Sequence, residues 1–62
     1  MTRQELMVET IAELRGEADE ARHLTSTLDD SESIADLFKY AAALEADADY
    51  LELELRRHSE AA

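Results

Sequence analysis

The sequence predicts an all-α fold, an antiparallel two-helix hairpin that self-associates into a four-helix bundle or a larger helical oligomer. Three observations carry this. The 62 residues hold no proline and a single glycine, Gly16, so chain-breaking signals are nearly absent. Two stretches repeat apolar residues at spacings that alternate between three and four, the signature of helices with one seam to bury. Between them lies a short acidic and serine-rich run, Leu28-Asp29-Asp30-Ser31-Glu32-Ser33. A connection this short makes the helices antiparallel neighbours.

The first helix is expected over about residues 2–28. Thr2-Arg3-Gln4-Glu5 fits a capping box, in which the Thr2 hydroxyl accepts from the amide of Glu5. The seam then runs Met7, Ile11, Leu14, Ala18, Ala21, Thr25 and Leu28, and Val8 and Leu24 widen it. The opposite face carries Glu9, Glu13, Gly16, Glu20 and His23, so this helix is amphipathic in the ordinary way. Gly16 falls on that outer face, where it costs about 1 kcal/mol relative to alanine.

The turn is expected over about residues 29–33. Asp29, Asp30, Ser31 and Ser33 are all good helix N-caps, and the spacing alone does not choose among them. Asp29, Asp30, Glu32 and Asp36 suit the positive end of the second helix. With no glycine to close the first helix, its last turn is expected to fray or tighten.

The second helix is expected over about residues 34–58, with a tail at 59–62. Its seam is Ile34, Leu37, Ala41, Leu44, Ala48, Leu51 and Leu55, with His58 in register. Alanines alternate with leucines, which allows close helix approach. A second stripe, Ala43, Ala46, Tyr50 and Leu53, lies roughly 160° from the first at ~100° per residue. Phe38, Tyr40 and Ala42 fill the flanks near the turn, so Ile34–Leu44 is apolar almost all round. That half of the helix should be the most covered part of the assembly, and with the two stripes it supplies the candidate interface residues. Arg56, Arg57 and His58 suit the negative end of the helix, and Glu52–Arg56 is a well-oriented i,i+4 pair.

Composition limits the function. At this size a single core rarely supplies more than roughly 3–5 kcal/mol, so small chains add disulfides, metals or subunits. The absence of cysteine removes disulfides and thiolate zinc sites, and two histidines are too few for a histidine-rich metal staple. Oligomerisation is the remaining common answer, and no cofactor is expected. The formal net charge of −10 repels phosphate, so direct nucleic-acid binding and anionic membranes are disfavoured. No signal peptide or membrane span is visible, and a soluble cytoplasmic protein is expected.

Few residues suggest chemistry. Glu20 and His23 have the E-x-x-H spacing of carboxylate-bridged metal bundles, but in one copy and on the outer face. Glu54 and His58 read as a charge pair at the helix end. No serine or cysteine nucleophile is patterned beside either histidine, and there is no phosphate-cradling glycine loop. Enzyme activity is not expected.

The opening Met1-Thr2-Arg3-Gln4-Glu5, the Leu28-Asp29 turn and Ala35-Asp36 after it, together with chain length, give a layout that resembles the Rop family of small plasmid copy-number regulators. That resemblance implies a dimeric four-helix bundle made from two hairpins. The family's RNA-contacting face corresponds here to Thr10, Leu14, Ala18 and Thr25, which supply no base, amide or aromatic group, so RNA binding is not carried over. The expected function is therefore a non-enzymatic assembly or adaptor protein acting through protein–protein contacts. The alternatives are an acidic nucleic-acid mimic, with Glu5, Glu9, Glu13, Glu17 and Glu20 imitating a phosphate row, and a Rop-like RNA regulator.

Overall fold

Two helices joined by a tight turn account for the computed structural model, which describes the backbone of residues 1–61 and the side chains of residues 1–58. Helix α1 spans Arg3–Leu24, a single 3₁₀ turn spans Thr25–Thr27, and helix α2 spans Ser31–Ala61. There is no strand among the described residues. The tail expected at 59–62 lies outside the described side chains, although α2 runs past His58 to Ala61.

Helix α1 begins where the capping signal places it. Thr2 is extended (φ −79°, ψ 164°), and its hydroxyl accepts from the amide of Glu5 at 3.1 Å. The helix ends at Leu24, earlier than the expected 28, and the cause is local. Thr25 Oγ1 donates to the carbonyl of Arg22 at 2.6 Å. Ser26 Oγ donates to that of His23 at 2.8 Å, and Thr27 Oγ1 to that of Leu24 at 2.8 Å. Three consecutive hydroxyls thus bond back to the last carbonyls of the helix, and backbone amides of the closing turn also reach those of Arg22 and His23. The last turn tightens to 3₁₀ geometry, as an end without glycine allows. Leu28 consequently leaves the helical seam and lies extended (φ −106°, ψ 143°).

Helix α2 begins at Ser31, three residues before the expected start. Asp30 is the residue that caps it. Its carboxylate accepts from the amides of Glu32 (3.3 Å) and Ser33 (3.2 Å) and from the Ser33 hydroxyl (2.7 Å). The connection is therefore only Leu28, Asp29 and Asp30.

The helices pack along the two seams, but the packing is thin. Among the described residues the buried ones are Ile11, Ala18, Ala21, Ala41 and Ala48. Ala18, Ala21 and Ala41 form one cluster, with Leu37 and Leu44 packed beside it and only partly buried. No large side chain is fully buried among the described residues. Each buried alanine methyl contributes about 0.8 kcal/mol, where a fully buried leucine would contribute about 1.5–3 kcal/mol. The shape agrees. The hairpin is 50 Å long, 18 Å wide and 10 Å thick, with a radius of gyration of 14.6 Å. A compact chain of this length has about 10.6 Å. The hairpin is a plate one helix thick, whereas folded domains normally stack two layers around a core.

Candidate interaction surface

The plate has two broad sides, and the sequence dresses them differently. Same-side residues are identified by the contacts that cross between the helices. On one side Arg22 holds Glu45 with two parallel hydrogen bonds, Nη1 to Oε2 at 2.8 Å and Nη2 to Oε1. One heptad earlier in α1 and later in α2, Arg15 Nη2 reaches Glu52 Oε2 at 3.1 Å and Asp49 Oδ1 at 3.4 Å. The pairing of 15 with 52 and of 22 with 45 keeps one antiparallel register. The Arg22 contact holds the Glu45 carboxyl below its ordinary range, chiefly through the hydrogen bond, with partial burial opposing it. The same contact raises Arg22 further above its usual value. These side chains keep at least 37% of their surface exposed, so water screens the pairs and the ladder sets alignment more than stability.

On the other side the only cross-helix polar contact among the described residues is Tyr40 Oη to Glu17 Oε2, at a long 3.4 Å. Five residues separate Glu17 from Arg22 and Tyr40 from Glu45. At about 100° per residue, each contact lies about 140° round its helix from the arginine pair. The seam leucines turn toward this second side. Leu14, Leu37, Leu44 and Leu51 are partly exposed, and Ala21, Leu24, Leu37 and Tyr40 line a shallow groove there together with Glu17 and Glu20.

The candidate interface residues separate into three groups. Ala41 and Ala48 are buried between the helices, and Ile34, Leu37, Leu44, Leu51 and Leu55 are partly buried. Phe38 and Tyr40 are about half exposed, on opposite sides of the plate. In the hairpin alone the turn-proximal half of α2 is therefore not fully covered. Ala43, Ala46, Tyr50 and Leu53 are all exposed on the outer edge of α2, with Tyr50 at 62%.

The groups considered for chemistry lie at the surface. Glu54 Oε1 lies 3.4 Å from Arg57 rather than beside His58. Glu20 and His23 are exposed on the outer edge of α1, where both line an open groove with Asp19, Leu24, Ser26 and Thr27. Among the described residues no three metal-ligating side chains converge, and no helix is long and apolar enough to cross a membrane. Arg56 and Glu52 make the expected i,i+4 contact at 3.4 Å. The arginine ladder escaped sequence reading. Its signal, two arginines and two glutamates each a heptad apart flanking the seams, is visible only once the register across the hairpin is known.

No protein-family model matches the chain, and the comparisons with curated proteins and with solved structures return no match.

Proposed function

We propose that this chain is a non-enzymatic helical assembly protein whose hairpins self-associate into a bundle and act through protein–protein contacts. One observation carries the reading. Among the described residues the lone hairpin buries four alanines and one isoleucine, and leaves the leucines of both seams partly exposed. Burial at roughly 25 cal/mol per Å² of apolar surface is the main force available to a chain without disulfides. A further layer of helix would complete it. The outer stripe Ala43, Ala46, Tyr50 and Leu53 is available for a larger oligomer or a protein partner.

Mass in solution, by light scattering at low and high salt, tests the reading. The expected value is at least twice the 7.0 kDa of one chain, rising with salt as the repulsion between copies of charge −10 is screened. Two substitutions refine the test. Leu44→Asp places a charge against the Ala18–Ala21–Ala41 cluster and is expected to abolish helicity. Tyr50→Asp, on the outer edge, is expected to keep helicity and affect only higher assembly or partner capture. A chain of single mass at both salts, or unfolding by Tyr50→Asp, refutes this reading.

A second reading is favoured by one feature. Glu5, Glu9, Glu13, Glu17 and Glu20 are all exposed along α1, so the row is free to imitate phosphates before a nucleic-acid-binding protein. Binding of that kind collapses as ionic strength rises, whereas apolar association persists.

A further inference from the structure

We infer that a second copy of this chain docks on the Tyr40 side of the plate and leaves the Arg15–Arg22 side in water. The inference rests on the self-association proposed above and adds which face is used. Two features point to it. First, the two sides differ in what they leave uncovered. Leu14, Leu24, Leu37, Leu44 and Leu51 all lie within about 60° of the Glu17 or Tyr40 direction on their helices. The other side is crossed by Arg15–Glu52, Arg15–Asp49 and Arg22–Glu45. Covering those pairs would take several charges out of water, which costs several kcal/mol per ion before any attraction is returned.

Second, the area is sufficient. A plate 50 Å by 18 Å has a footprint of at most about 900 Å², enough to hold the ~800 Å² that each partner contributes to a standard stable interface. The charge works against docking and sets its salt dependence: Glu13, Glu17, Glu20, Asp36, Asp47 and Glu54 lie within the same 60°, so docking strengthens as salt screens them, and Glu54 already has Arg57 at 3.4 Å. A second copy is the occupant because it brings the same leucine-rich face, and because stacking two plates one helix thick gives the missing second layer.

Matched substitutions test the choice of face. Leu24 and Tyr40 on the docking side are 54% and 53% exposed in the lone hairpin, and Val8 and Phe38 on the arginine side are 53% and 48%. Exposure therefore does not distinguish the pairs. Leu24→Glu with Tyr40→Glu is expected to halve the mass in light scattering or reduce it to one chain. Val8→Glu with Phe38→Glu is expected to leave it unchanged. The reverse pattern, equal loss in both, or loss in neither overturns the face assignment while self-association stands. A wild-type chain of single mass overturns self-association itself.

Acidic variants can unfold as they separate, so a milder measurement runs beside them. The chain has no cysteine, and Leu24→Cys and Val8→Cys each introduce one thiol. In the wild-type assembly the thiol at 24 is expected to alkylate at least about tenfold more slowly than the thiol at 8, as covered sites open only by local or global fluctuation. Equal rates, the result for a lone hairpin, overturn the inference.

Discussion

Replacing Gly16 by alanine is expected to stabilise the protein, and the structure fixes both sign and size. Gly16 sits well inside α1, Arg3–Leu24, with no positive φ that only glycine would favour. A Cβ built there meets nothing within 4 Å. The substitution therefore carries no steric cost within the hairpin. It gains the helix-propensity difference between glycine and alanine, about 0.8–1.0 kcal/mol per chain, part of it from a less free unfolded state. For a domain of this size 1 kcal/mol corresponds to about 4–8 °C in Tm. The assay is thermal melting by circular dichroism at one fixed chain concentration, because association makes Tm concentration-dependent. A Tm unchanged or lowered would refute the reasoning. It would mean that another chain packs against the outer edge of α1 where Gly16 lies, and that edge would then be an interface rather than solvent.

Two further outcomes follow from the caps. Thr2→Ala removes the acceptor for the Glu5 amide and is expected to cost about 1 kcal/mol, seen as faster amide exchange in the first turn of α1 with the rest unchanged. Asp30 is held below the usual carboxylate range, first by the Ser33 hydroxyl, then by the amides of Ser33 and Glu32. A depressed folded value means that its contribution is complete above the unfolded aspartate range and is lost as pH falls through the folded one. The Tm gap between wild type and Asp30→Ala should thus be constant near neutrality and close on acidification. A gap that stays open in acid would show that the carboxylate charge is not what caps α2.

The seams were legible because a strict three-four alternation leaves little freedom in which residues meet. Ile11, Ala18, Ala21, Ala41 and Ala48 are buried at seam positions. The ends of the elements were less legible. A hydroxyl can cap, back-bond or face water with little difference in local propensity, so Thr25-Ser26-Thr27 did not announce that it would close α1 on three carbonyls. Four good caps around the turn were equivalent until the geometry put only Asp30 in reach of the first free amides of α2. The arginine ladder required the register across the hairpin, which depends on the length of a connection that sequence left open to several residues. The outer stripe was readable as a pattern, and the hairpin leaves it exposed.

The distribution of side-chain size round the helices bears on why the hairpin is so thin. Along α2 the alanines of the seam, Ala41 and Ala48, point into α1, while the leucines Leu44 and Leu51 are rotated by about 60° toward the Tyr40 side. Along α1 Ala18 points into α2, and Leu14 and Leu24 turn toward the same side. Small residues at the contact draw the two axes together, and large residues beside it are left to fill a space that the hairpin does not enclose. A chain selected to be stable as a lone hairpin has the opposite incentive. It gains most by placing leucines between its two helices, since two helices offer no other enclosed volume. Under the proposed assembly the order makes physical sense. The alanines set the spacing within each plate, the arginine ladder on the far side sets its register, and the leucines become the filling between two plates. The same argument explains why Leu44, partly exposed in the hairpin, is chosen for the unfolding substitution, and why Tyr50, fully outside that space, is not.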